Sequence, residues 1–139
     1  AGTDSNFACE IGHLLVSQNF HAITTITGVN EDIKRQIPIA RYNKIFNGMG
    51  TLHRSVERNF IPASELKEQL DFVHDICLAN LLTLNDETLK EPLEPIPFKH
   101  PVADIKYEAL SWCFKHEMWH SAEMEAIKRA LGYPIVWMK

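Results

Sequence analysis

The chain has 139 residues, of which 45% are apolar and 23% are charged, and its formal net charge is −4. This length and composition predict one soluble globular domain, residues 1–139, and exclude a disordered or collagen-like chain. No basic run is longer than a pair and no apolar stretch is long enough to span a bilayer, so we expect neither nucleic-acid nor membrane binding.

Helical spacing of apolar residues predicts four helices, and only the short tail 133–138 resembles a strand. Gly28 and Gly132 mark the ends of the first and last helices, and the prolines between Pro92 and Pro101 forbid a regular helix there. This pattern predicts an all-α fold, a four-helix bundle with crossing connections. The predicted helices span about residues 6–27, 39–60, 66–84 behind a Ser64 cap, and 102–131.

The cysteines give a weak indication of the compartment. Cys9, Cys77 and Cys113 are widely spaced and form no CxxC motif. An odd number of isolated cysteines argues against a disulfide framework and favours a reducing environment, and no basic-then-apolar signal segment opens the sequence. We therefore expect a cytoplasmic protein whose cysteines act as small apolar residues on helix faces.

Two histidines one helical turn apart carry the main chemical signal. His116 and His120 lie in the segment FKHEMWH, and at about 100° per residue both fall at the centre of the apolar stripe of the last helix. Imidazoles at this spacing can bind one metal ion, and buried polar groups need a partner. His53 lies in the apolar stripe of the second helix. Together His53, His116 and His120 predict a three-histidine site with one coordination position left open.

Two carboxylates accompany these histidines in the sequence. Glu57 follows His53 by one turn, and Glu123 follows His120 by three residues on the same stripe. Each could orient a ligand histidine through its second ring nitrogen, act as an acid or base, or reach solvent at the edge of the bundle. The remaining histidines are interpreted as ordinary residues of helices and loops; they are His13, His21, His74 and His100.

Two other kinds of metalloprotein share parts of this pattern. The HExxH spelling is the signature of zinc peptidases, but no histidine follows His120 to serve as the third ligand. A di-iron carboxylate bundle needs two ExxH pairs, which Glu10 with His13 and Glu117 with His120 would supply. The third helix has no clearly central acid and Glu117 lies off the apolar stripe, so we consider both alternatives weaker than the three-histidine site.

Three segments share the order and spacing of one family's motifs. They are residues 45–60, where Leu52-His53 is followed by Glu57; LLTLNDETL at 81–89; and HEMWHSAE at 116–123, followed by AIKRALG at 126–132. Together these segments resemble the DinB/YfiT-like metalloenzymes over nearly the whole chain. One departure is Glu123, which stands where the family often has Gln and adds a charge near the predicted metal.

The resemblance implies a bundle, often a homodimer, in which His53, His116 and His120 bind a divalent metal, commonly zinc or nickel. It implies a transferase or isomerase that acts on a small molecule with a low-molecular-weight thiol of the bacillithiol or mycothiol type. The ion would act as a Lewis acid toward a thiol or water. The alternative is a non-catalytic metal-binding or sensing bundle, in which Glu57 or Glu123 would close the coordination sphere.

Overall fold

The computed structural model describes residues 7–46 and 61–134, and these ranges form helices and loops without a strand. An all-α fold is therefore confirmed. No helix in these ranges is both long and apolar enough to cross a membrane. The helices are α1 (Phe7–Gln18), α2 (Thr25–Thr27), α3 (Glu31–Gln36), α4 (Ile39–Phe46), α5 (Ala63–Leu81), α6 (Asp86–Leu89) and α7 (Lys106–Ala130), and a π-helical segment, Asn19–Thr24, joins α1 to α2.

A continuous helical rod made of α1, the π-helical segment and α2 lies at the centre of the described fold. It ends as predicted at Gly28, whose positive φ of 87° suits a residue without a side chain. Helices α4, α5 and α7 all pack against α1. The rod thus contributes to one core with its neighbours, whose buried members include Leu15, Val16, Ile23, Ile33, Ile37, Tyr42, Ile45, Phe46, Leu66, Val73, Cys77 and Cys113.

The connector between the first two predicted helices contains a short helix that the sequence pattern does not predict. The Asn30 side chain caps α3 by accepting hydrogen bonds from the backbone N–H groups of Asp32 and Ile33, both at 3.0 Å. Ile33 is buried in the core. Capping and burial together stabilise a helix that is too short to show a clear period. The predicted second helix begins at Ile39 as α4, and its part beyond Phe46 lies outside the described residues.

The last helix begins four residues later than predicted, because its start is set by contacts with the proline-rich loop. The carboxylate of Glu108 accepts from the backbone N–H groups of Asp104 at 2.8 Å and of the N-cap residue Ile105 at 3.4 Å, and the second contact caps α7. The buried Lys106 ammonium lies 3.0 Å from Glu91 and 2.8 Å from Glu94. These bonds hold the loop against the helix start and stop α7 from extending toward the prolines.

Gly12 allows α1 and α4 to approach closely. A Cβ atom at this position would lie 2.6 Å from atoms of the Phe46 ring, and Phe46 is fully buried. We expect Gly12→Ala to lower the free energy of unfolding by roughly 1–3 kcal/mol, because a buried ring must move to admit the methyl group. Urea unfolding followed by circular dichroism measures this loss.

The matched control is the same substitution in a Phe46→Leu background, where a smaller side chain faces position 12. There Gly12→Ala should cost clearly less, and the difference between the two costs is the coupling energy of the pair. If Gly12→Ala lowered the free energy of unfolding equally in both backgrounds, the contact with Phe46 would not be the reason for a glycine at position 12.

Candidate metal centre

Three histidines from two helices meet at one point beside the core. His13 lies on α1, and His116 and His120 lie one turn apart on α7. The Nε2 atom of His116 is 3.2 Å from that of His13 and 3.0 Å from that of His120. The three residues form a group whose ligand atoms all lie within 4.8 Å of one another. We call this group the histidine triad, and it could hold a metal ion.

The outer ring nitrogens of the triad are bonded to groups that fix their protons. His13 Nδ1 donates to the backbone carbonyl of Phe46 at 2.9 Å, and His120 Nδ1 donates to the carboxylate of Glu10 at 2.6 Å. Since carbonyl and carboxylate oxygens accept hydrogen bonds, both Nδ1 atoms carry a proton. In the neutral rings the Nε2 lone pairs of His13 and His120 are therefore left facing His116.

A metal ion can bind the Nε2 atoms of all three histidines, whereas a single proton cannot. Neutral His116 can place at most one proton on its Nε2, which cannot serve both neighbouring lone pairs. When His116 Nδ1 instead donates to the hydroxyl of Ser17, 2.9 Å away, the Nε2 lone pairs of all three rings are free to bind an ion. Nitrogen ligands about 2.0–2.1 Å from a tetrahedral ion lie about 3.3–3.4 Å apart. The separations of 3.0 and 3.2 Å between Nε2 atoms are close to that value, so these residues fit a metal ion.

Burial favours the neutral, metal-binding form of two members of the triad, His116 and His13. Desolvation, with the neighbouring His120 and His13, lowers the pKa of His116 to about 4, and Glu10 opposes this shift. Desolvation also lowers the pKa of His13, against the hydrogen bond to Phe46. Because protons compete with metal ions for imidazole nitrogen, low pKa values favour metal binding at neutral pH.

Two of the predicted ligands come together, and the third member of the triad is a different histidine. His116 and His120 meet through their Nε2 atoms, whereas His53 and the nearby Glu57 lie outside the described residues. His13 takes the third position in the triad. The sequence predicts His13 to be an ordinary helix residue, although its place in an ExxH pair is a signal that could single it out.

Two acidic residues lie beside His120, and Glu10 is the better placed of them. Glu10 is 5% exposed at its side chain, whereas Glu123 is 43% exposed and its carboxylate lies 3.2 Å from His120 Nδ1. Glu117 is bonded instead to the side-chain amide of Gln18, which donates to it at 2.7 Å. Glu117 therefore belongs to another contact, and the described residues do not bring together the two ExxH pairs that a di-iron centre needs.

The difference between the two acids leads to a prediction about metal affinity. We expect Glu10→Gln to weaken metal binding about 10-fold, because carboxylates that accept from a ligand histidine raise its basicity and fix its orientation. The half-exposed Glu123 is the matched control, and Glu123→Gln should change the affinity by less than about 3-fold. Competition with a chelating dye measures both; a larger loss in the Glu123 variant would assign the orienting role to that residue instead.

Two tryptophans on α7 flank the triad and make it observable. The Trp112 ring stacks on His116 with a centroid separation of 5.8 Å, and the Trp119 ring lies 6.4 Å from that of His120. A paramagnetic ion bound at the triad should therefore quench tryptophan fluorescence.

Comparison of the chain with protein-family models, curated proteins and solved structures finds no match.

Proposed function

We propose that this protein is a metal-dependent enzyme that acts on a small molecule through a divalent ion bound by His13, His116 and His120. The observation that carries the proposal is the convergence of three Nε2 atoms whose outer nitrogens already have partners within the chain. Three protein ligands leave a position open on a tetrahedral ion, and this is typical of catalytic rather than structural zinc sites.

The residues around the triad suit this chemistry. A divalent ion, when bound, supplies Lewis acidity that lowers the pKa of a thiol or water at the open position. The Glu10 carboxylate holds His120 in its ligand tautomer, and Glu123, being half-exposed beside the same ring, can accept a proton from an incoming group. Burial raises the pKa of both the Cys77 and the Cys113 thiol, so the nucleophile is expected to come from the substrate.

The finer proposal is a thiol-dependent transferase of the DinB/YfiT-like type, a cytoplasmic homodimer that uses zinc or nickel. Its support is the motif resemblance that includes residues 116–132, together with the packing of α4, α5 and α7 around α1, which suits a four-helix bundle. In this proposal His13 is the third ligand. The alternative, a non-catalytic metal-binding or sensing bundle, uses the same triad without an exchangeable position.

The experiment loads chelator-treated protein with zinc, nickel, manganese or cobalt(II) and measures ions per chain. We expect about one ion per chain and, for cobalt(II), a visible spectrum that changes when a small thiol is added, since thiolate is a good ligand for such ions. Loaded samples are then tested with thiol and electrophile pairs. Failure of every metal to bind would overturn the proposal, and a spectrum insensitive to thiols and anions would favour the sensing bundle.

A further inference from the structure

A second pair of histidines lies next to the triad and takes no part in it. His21 lies on the π-helical segment, and His100 lies in the proline-rich loop, directly before Pro101. The Nδ1 atom of His21 is 2.8 Å from the Nε2 atom of His100, and the two residues are 8% and 3% exposed. The His21 ring is 6.0 Å from that of the triad residue His116. The pair therefore connects the loop to the edge of the metal centre.

A backbone group determines where the protons of this pair lie. The N–H of Val102 donates to His100 Nδ1 at 3.2 Å, and because an amide N–H only donates, this nitrogen has no proton. Neutral His100 then carries its proton on Nε2 and donates it to His21 Nδ1. Neutral His21 must in turn carry its proton on Nε2. The chain of bonds thus makes His21 a donor at Nε2 rather than an acceptor.

Packing holds this pair in place and keeps it uncharged. The Phe20 ring stacks on His100 at 5.5 Å with an interplanar angle of 5°, and it also stacks on Phe98 at 5.4 Å. Burial and the neighbouring histidines lower the pKa of His21 to about 3. The π-helical turn that carries His21 is a rare conformation that is frequent at functional sites. A neutral donor of fixed orientation is thus held beside the metal centre.

We propose that His21 is a ligand-positioning residue whose Nε2–H donates a hydrogen bond to a carboxylate or other oxyanion at the open metal position. The proposal rests on the proposed function, because the ion at the triad is what attracts the anion. An N–H donor selects ligands that keep a lone pair after binding the ion, such as carboxylates, over amines, whose one lone pair is used by the metal. His100 acts through His21 by fixing its tautomer. The preferred substrate class is therefore a small molecule with a carboxylate or similar anionic group.

The first test examines the protons directly in metal-free protein. Long-range proton–nitrogen NMR spectra distinguish the two tautomers of neutral histidine, and single substitutions assign the signals of His21 and His100. We expect both rings to carry their proton on Nε2 at pH 7.5. A proton on Nδ1 of His21 would overturn the proposal whether or not a metal binds.

The second test titrates cobalt(II)-loaded protein with acetate and follows the visible spectrum. We expect His21→Phe, which keeps an aromatic ring, to leave cobalt affinity within about 3-fold and to weaken acetate binding about 10-fold, as the loss of one hydrogen bond to a charged group should. His100→Phe removes the hydrogen bond that fixes the tautomer of His21, so it should weaken acetate binding by a smaller factor. This variant also provides the test if His21→Phe does not fold. His74→Ala is the control and should bind acetate like the natural sequence.

The outcomes separate the two proposals. Normal cobalt binding with unchanged acetate affinity in both variants overturns the role of His21 and leaves the metal enzyme standing. Failure of the natural sequence to bind cobalt or any other tested metal overturns both. Weaker acetate binding in the two variants, together with the expected tautomers, supports the positioning role.

Discussion

Replacing His116 with alanine is expected to abolish metal binding. His116 is the central member of the triad, since its Nε2 atom contacts those of both His13 and His120. Its removal leaves two ligands, a number too small to hold a divalent ion in a three-histidine site. Loss of a group that only hydrogen-bonds to a ligand histidine already costs about 10–100-fold in metal affinity. We therefore expect a loss greater than about 100-fold on removal of a ligand, and metal content near zero by elemental analysis after dialysis.

The control for this substitution is another histidine that lies outside the triad. His74 is exposed on α5, and its Nδ1 is 3.1 Å from the side-chain amide of Gln18. His74→Ala should retain the full metal content and the quenching of Trp112 fluorescence by nickel or cobalt. Circular dichroism is used to check that both variants are folded. A full complement of metal in folded His116→Ala, or equal loss in the two variants, would show that the ion binds elsewhere.

The metal-free protein is expected to lose stability steeply as the pH falls from 6.5 to 4. Burial, together with the neighbouring His100, His116 and His13, lowers the pKa of His21 to about 3, whereas the unfolded chain keeps a value near 6.5. Between these values the unfolded state binds a proton that the folded state does not, so stability is fully present above pH 6.5 and declines below it. His21 alone contributes a loss on the order of 3 kcal/mol by pH 4.

Other histidines that are buried or partly buried act in the same direction. The pKa values of His13, His100 and His116 are also lowered, chiefly by burial. Urea unfolding at pH 7 and pH 4.5 in the presence of EDTA measures the combined loss. His21→Phe should flatten the pH dependence, while exposed His74→Ala should keep the full slope. A metal-free protein that becomes more stable toward pH 4.5 would contradict the prediction, because it would mean that these rings gain protons on folding.

The local chemistry of the chain is sufficient to predict the helical class and several helix ends. Gly28 and Gly132 take positive φ values of 87° and 82° just beyond predicted helix ends, because glycine adopts this conformation without a steric penalty. The crowded prolines exclude a helix before α7 for an equally local reason. The i, i+4 spacing of His116 and His120 also needs only helix geometry to bring the two rings to one face.

The third member of the triad and the pairing of the other histidines depend on contacts between distant segments. His13 and His116 are 103 residues apart, and His21 and His100 are 79 apart, so no spacing within one helix can predict which rings meet. The same holds for Glu10, which lies against His120 only because α1 packs on α7. The sequence alone determined the all-α class, several helix ends and the pair of histidines on α7 that could bind a metal ion. Packing between helices and loops decided that His13 and Glu10 join this pair and that His21 meets His100. Sequence patterns do not show such contacts, because they relate only residues that are close along the chain.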